Sequence, residues 1–183
     1  DERGVYPESV RWIRTGVKNG NKKLPEDLLI ETEVELMIKN ATSVRDKALI
    51  SLLWESGSRI GEVGNIRVKD ITFDEYGAKI NLSGKTGSRR IRVVNSAPYL
   101  QEWINNNPNN EYDNYIWTTS KGKSISYSRF SDILTRTANR SGIKKRIYPH
   151  LFRHSRATHL ASHLTESQMK DYLGWTQSSK MCG

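Results

Sequence analysis

The chain has 183 residues, 36% of them apolar, and a formal net charge of +9; that length supports one compact domain, with at most a short appendage, rather than two full domains. A single cysteine excludes an internal disulfide framework and a cysteine-rich zinc module, no apolar run approaches a membrane span, and Asp1-Glu2-Arg3-Gly4 lacks the order of a signal peptide, so the expected setting is a reducing cytoplasm. Residues 1–120 hold 17 basic and 17 acidic side chains, whereas residues 121–183 hold 12 basic and 3 acidic, so the excess positive charge is confined to the last third, where it favours a polyanionic partner.

Residues 1–23 carry a short amphipathic piece, Pro7 to Arg14, and a polar, glycine-broken stretch, and read as the remnant of an upstream arm and linker. Thr32-Glu33-Val34-Glu35 has the form of a capping box and predicts a helix running to about Asn40. Ser43 opens a second helix, whose apolar residues Val44, Ala48, Leu49, Leu52 and Leu53 recur at helical spacing, and Gly57 can adopt the left-handed conformation that stops it. Arg59 then begins a short helix at a buried corner. Ile66 to Phe73, Ala78 to Leu82 and Arg90 to Val94 are rich in β-branched residues and predict a three-stranded antiparallel meander. Helical patterns resume at Pro98 to Asn106, at Tyr127 to Asn139 behind Ser126, at Pro149 to Ser162, and at Glu166 to Leu173 between Thr165 and Gly174. The expected class is α+β, mainly helical, with one small antiparallel sheet.

Four groups of residues carry chemistry. Glu62 follows Arg59 by three positions, which places its carboxylate on the same helical face, able to orient the guanidinium. A buried arginine is costly unless paired, and its planar donors suit a phosphate; the plainer reading of the same pair is a surface salt bridge. His150 and Arg153 lie three apart behind Pro149, on one face near the positive end of a helix. There the guanidinium can give parallel hydrogen bonds to phosphate oxygens, and the imidazole can donate to a third oxygen or exchange a proton. Lys85 belongs to a Gly-Lys-Thr stretch joining two strands, which is the wrong context for a nucleotide-binding loop. Its ammonium is either solvated or able to protonate a departing oxygen. Trp175 either packs in the core or offers its indole N–H to the same anion.

The pairs His150/His154 and His159/His163 are each four apart, but Leu151 stands where a zinc protease has glutamate, and no further Cys or His completes a site. No metal and no cofactor are expected.

Taken in order, Gly-x-Arg-Ile-x-Glu (Gly57 to Glu62), Gly-Lys-Thr-Gly (Gly84 to Gly87), His-x-x-Arg-His-Ser-x-Ala-Thr-His (His150 to His159) and Leu-Gly-Trp (Leu173 to Trp175) resemble the motifs of the tyrosine recombinases, the phage-integrase type of site-specific DNA recombinase. The resemblance implies that residues 24–183 form that family's catalytic domain. It implies that Arg59 and Arg153 clamp the scissile phosphate and that Lys85 protonates the leaving 5′ oxygen. His150 would assist proton transfer, Trp175 would complete the catalytic set, and Glu62 would support Arg59. Double-stranded DNA is the implied partner, with Arg89, Arg90, Lys121, Lys123, Arg129, Ser155 and Arg156 as candidate contacts. The full-length protein would assemble as a homo-tetramer on DNA, with this chain a monomer in solution. The family's attacking tyrosine, which forms a 3′-phosphotyrosyl link, is expected just after Gly183; Tyr172 and Tyr148 precede Trp175 and do not match it, and Cys182 is an unsuitable substitute. The alternatives are a DNA-binding module without chemistry, a type IB topoisomerase, and a metal-dependent nuclease.

Overall fold

The computed structural model describes residues 25–84, 87–119, 121 and 123–175. The expected remnant at 1–23, Lys85 and Cys182 lie outside them. Among the described residues, seven α-helices and three strands follow the order α1 (Glu31–Asn40), α2 (Val44–Ser56), α3 (Ile60–Gly64), β1 (Ile71–Asp74), β2 (Gly77–Gly84), β3 (Gly87–Val93), α4 (Ala97–Asn106), α5 (Tyr127–Arg140), α6 (Pro149–Leu160) and α7 (Glu166–Leu173).

Helix α2 is the centre of the molecule. Ala48, Leu49, Ile50, Leu52, Leu53 and Trp54 are all buried, so the helix is apolar around its circumference and packs against α1, α4 and α6. Each of its large side chains contributes on the order of 1.5–3 kcal/mol through burial. Ser43 caps the helix by accepting the Asp46 N–H, and Gly57 ends it at φ 56°. The Glu55 side chain, one turn from that end, accepts the backbone N–H groups of Val94, Asn95 and Ser96 at 2.7, 3.1 and 2.7 Å. It thereby satisfies donors at the start of α4 that would otherwise have no partner.

The sheet is antiparallel in the order β1-β2-β3, with Ile80 opposite Ile91, Leu82 opposite Arg89 and Gly84 opposite Gly87. Ala78, Ile80, Leu82, Ile91 and Val93 face the core. The first strand is shorter than the predicted Ile66 to Phe73. Asp70 accepts the Arg67 N–H at 2.9 Å and closes a 3-10 turn over Val68–Asp70, a local side-chain bond that competes with strand pairing. Ile66 and Val68 bond instead to the segment around Asn114 to Ile116.

Helix α1 also starts earlier than Thr32. Ile30 precedes its first turn, and Glu33 reaches back to the Ile30 N–H at 3.0 Å, leaving a one-sided cap because isoleucine has no side-chain acceptor. Helices α5 and α7 begin behind Ser126 and Thr165 as predicted, each with a side-chain oxygen accepting an N–H of the first turn, and Gly174 ends α7 at φ 63°.

Candidate active site

Three consecutive carbonyls at the end of α7 each accept a hydrogen bond from a different arginine. Tyr172 O accepts from Arg89 Nε at 3.1 Å, Leu173 O from Arg153 Nη2 at 2.8 Å, and Gly174 O from Arg59 Nη1 at 3.4 Å. The last carbonyls of a helix lack partners within it and form the negative end of its dipole, which suits three cations. Arg153 Nη1 donates at 2.9 Å to Gly57 O, at the end of α2, so the ends of two helices hold one guanidinium. Gly57 and Gly174 are both left-handed, the conformation that turns the chain out of each helix.

Glu62 ties the group together. Its carboxylate accepts Arg89 Nη1 and Nη2 at 2.7 and 3.2 Å, the Arg59 backbone N–H at 2.8 Å, and Arg59 Nη1 at 3.3 Å. Burial alone would raise its pKa. The Arg89 hydrogen bonds, the Arg59 N–H and the two positive charges outweigh that, and the net value lies below the ordinary glutamate range. Arg153 moves the other way for a cation: burial, then the like charge of Arg59, lower its pKa from the ordinary arginine range to about 10, with Arg89 adding to the effect and Glu62 opposing it. Arg153 stays charged at neutral pH, among cations whose repulsion a bound anion would relieve.

The two predicted arginines therefore share one neighbourhood, but their burial is the reverse of the expectation for Arg59. Its side chain is 35% exposed, whereas Arg153 is 5% exposed. Arg59 precedes α3 and is held by that short helix, while Arg153 points from the middle of α6 into the core. Trp175 lies beside them, its ring centroid 5.9 Å from the Arg153 guanidinium carbon. His150 is on the exposed side of the first turn of α6, with its ring 5.0 Å from that of His154 in an edge arrangement. Lys85 falls in sequence between β2 and β3, outside the described residues.

Several expected DNA contacts are placed differently. Ser155 is 2% exposed and its Oγ accepts the Leu29 N–H at 2.9 Å, so it fastens the chain entry to α6 instead of facing a ligand. Arg156 is half-buried, bonds the Glu55 carbonyl at 3.3 Å and lies 5.6 Å over the Trp54 ring. The Arg89 side chain is only 13% exposed. Arg90, Lys121, Lys123 and Arg129 are exposed, as a DNA-facing role requires. Among the described residues no group of three His, Cys, Asp or Glu is arranged to hold a metal, and no helix is long and apolar enough to cross a membrane.

The inward role of Arg89 had a signal in the sequence. Alternation along β3 puts residue 89 on the face of Ile91 and Val93, whereas Arg90 and Arg92 take the other face. Tyr172 was also unassigned. Its hydroxyl donates to the Glu55 carbonyl at 2.7 Å, tying α7 to α2, and burial raises its pKa against the lowering effect of Arg156. Nothing local in the sequence marks that bond, which joins residues 117 apart.

The tyrosine recombinase XerC of Haemophilus ducreyi is 28% identical over 165 residues, covering 86% of this chain and 54% of that protein. A tyrosine recombinase of Pseudothermotoga lettingae is 33% identical over 159 residues, covering 79% of this chain and 51% of that protein. The chain thus spans about half the length of the curated relatives it matches. The fold is shared with XerH site-specific recombinase, solved bound to difH substrate in a pre-cleavage complex, at a TM-score of 0.69 and 22% identity, covering 86% of this chain and 48% of that one. The model of the phage integrase family matches residues 27–181, which include all four motifs and every arginine gathered at the end of α7, and the chain accordingly belongs to that family, with the catalytic-domain fold of a tyrosine recombinase.

Proposed function

We propose that this chain supplies the phosphate-gripping machinery of a DNA recombinase that cleaves and rejoins strands through a 3′-phosphotyrosyl intermediate. The observation that carries the reading is the convergence of Arg59 and Arg153 on the adjoining carbonyls Gly174 and Leu173. Two guanidinium forks in one place stabilise the charge that builds on non-bridging oxygens as phosphorus becomes five-coordinate. Lys85 protonates the leaving 5′ oxygen; His150 assists proton transfer, and Trp175 buttresses Arg153 and offers its indole N–H to the phosphate. The free 5′ hydroxyl of a partner strand then attacks the phosphotyrosyl link, so the bond energy is conserved and the reaction needs neither metal nor ATP.

The attacking hydroxyl on this reading is not that of Tyr172, which donates to the Glu55 carbonyl at 2.7 Å. On this reading the domain contacts duplex DNA through Arg90, Lys121, Lys123 and Arg129, and the whole recombinase acts as a tetramer on DNA.

The test is a DNA site carrying a bridging 5′ phosphorothiolate, offered to a polypeptide that joins this domain to the tyrosine. A covalent adduct resistant to chelator is expected, and it should disappear in Arg59→Ala and Arg153→Ala while most non-specific DNA binding remains. An adduct unaffected by either substitution would overturn the assignment.

A further inference from the structure

The Glu62 carboxylate is shared unequally between two arginines. Arg89 takes it with both terminal nitrogens, at 2.7 and 3.2 Å, while the Arg59 guanidinium reaches it at 3.3 Å. Arg89 is itself fixed from two further sides, by Tyr172 O at 3.1 Å and by Ser58 Oγ at 3.1 Å. Two glycines make room for the pair. A Cβ at Gly84 would lie 2.8 Å from Glu62 Cγ, and one at Gly174 would lie 2.8 Å from Arg89 Nη1. The ion pair is therefore built into the junction of the hairpin, α3 and α7, with neighbouring backbone shaped around it.

We infer that Arg89 is a positioning residue of the phosphate site: by occupying the Glu62 carboxylate it prevents that carboxylate from competing with an incoming phosphate for Arg59. The argument is one of charge balance. Glu62 is 3% exposed and cannot be neutralised by water. Without Arg89, its nearest counter-charge is the Arg59 guanidinium, whose backbone N–H it already accepts at 2.8 Å. A one-to-one buried pair would draw Arg59 down onto Glu62, cancel its charge and leave one net positive charge beside the phosphate position. With Arg89 in place the three arginines and one carboxylate leave two net positive charges, matched to an oxyanion that contacts Arg59 and Arg153. Arg89 acts through Glu62 and need not touch DNA, consistent with its inward position on β3.

The inference rests on the proposed phosphate site, and one experiment separates the two. Inorganic phosphate is titrated at constant ionic strength into the complete 183-residue chain, with arginine Nε–H resonances followed by NMR. In the unsubstituted chain Arg59 and Arg153 should respond together; a response at neither would overturn the phosphate site itself. Arg89→Gln should weaken phosphate binding by about tenfold. Arg89→Gln combined with Glu62→Gln should restore it to within about threefold, because the competing carboxylate is gone. A double variant as weak as Arg89→Gln would show that Arg89 contributes directly or structurally, and an Arg89→Gln variant that binds normally would show that it contributes nothing; either result overturns the positioning role alone. If Arg89→Gln does not fold because Glu62 is left buried and unpaired, the double variant, which carries no such charge, is compared with the unsubstituted chain: phosphate binding within about threefold supports the positioning role, and a loss of about tenfold overturns it.

Discussion

Arg153 donates a hydrogen bond at 2.9 Å to the carbonyl of Gly57, a residue 96 positions earlier in the chain. The same guanidinium bonds Leu173 O, so the arginine assigned to the phosphate is also the brace between the ends of α2 and α7. The structural duty and the proposed chemical one meet in one side chain, and they can be separated by measurement.

Arg153→Ala should lower stability by about 2–4 kcal/mol, since two buried carbonyls lose a charged donor. Arg153→Lys keeps the charge but not the fork, and should recover part of that loss without recovering cleavage in the protein that carries the nucleophile. Urea denaturation followed by circular dichroism gives the first quantity, and the phosphorothiolate trap gives the second. Equal stability for all three proteins would remove Arg153 from the brace.

Gly57→Ala and Gly142→Ala make a controlled pair. Both positions have positive φ, 56° and 74°, but a Cβ at 57 would lie 2.8 Å from Leu173 Cδ2, whereas at 142 it meets nothing within 4 Å. Each substitution carries left-handed strain of about 1 kcal/mol. Gly57→Ala should cost a further 1–3 kcal/mol or so from overpacking, measured as the difference between the two denaturation midpoints.

Acid should expose the Glu62 network. Its folded pKa lies below the ordinary 4.5, so on acidification the unfolded chain takes up the proton first. The stabilisation it provides is present above pH 4.5 and is lost as the pH falls through the lower folded value. In Glu62→Gln that part of the acid dependence should vanish, which a series of denaturation curves across this window would reveal.

Tyr172→Phe removes only the hydroxyl that donates to Glu55 O at 2.7 Å. A loss of about 1 kcal/mol is expected. Covalent trapping by the tyrosine-bearing polypeptide should persist, and its disappearance would place Tyr172 in the chemistry after all.

Duplex DNA affinity should fall steeply with salt, by roughly a thousandfold between about 50 and 200 mM if some six phosphates are contacted. Fluorescence anisotropy with a labelled duplex measures the slope. A flat response would contradict a phosphate-tracking surface.

Much of the architecture is legible in the sequence, because it is written within a few residues. Ser43, Ser126 and Thr165 accept first-turn N–H groups, and Gly57 and Gly174 turn left-handed at the helix ends. The first strand was misread because its predicted amino-terminal half pairs with residues around 115, a partner that β-propensity does not name.

Within the site, Arg59, Glu62 and Arg153 were marked by local spacing and motif order. Arg89 reads as a DNA contact by its charge, yet alternation with Ile91 and Val93 turns it inward. What the sequence by itself determined was therefore the local conformation of each piece and the chemical kind of its side chains, since caps, stops and periodicity act over a turn or a strand. The tertiary structure alone decided that Tyr172, Leu173 and Gly174 would present successive carbonyls to Arg89, Arg153 and Arg59. Those partners lie 83, 20 and 115 residues away, and only the packing of α3, α6, α7 and the hairpin around the buried helix α2 brings them within hydrogen-bond reach.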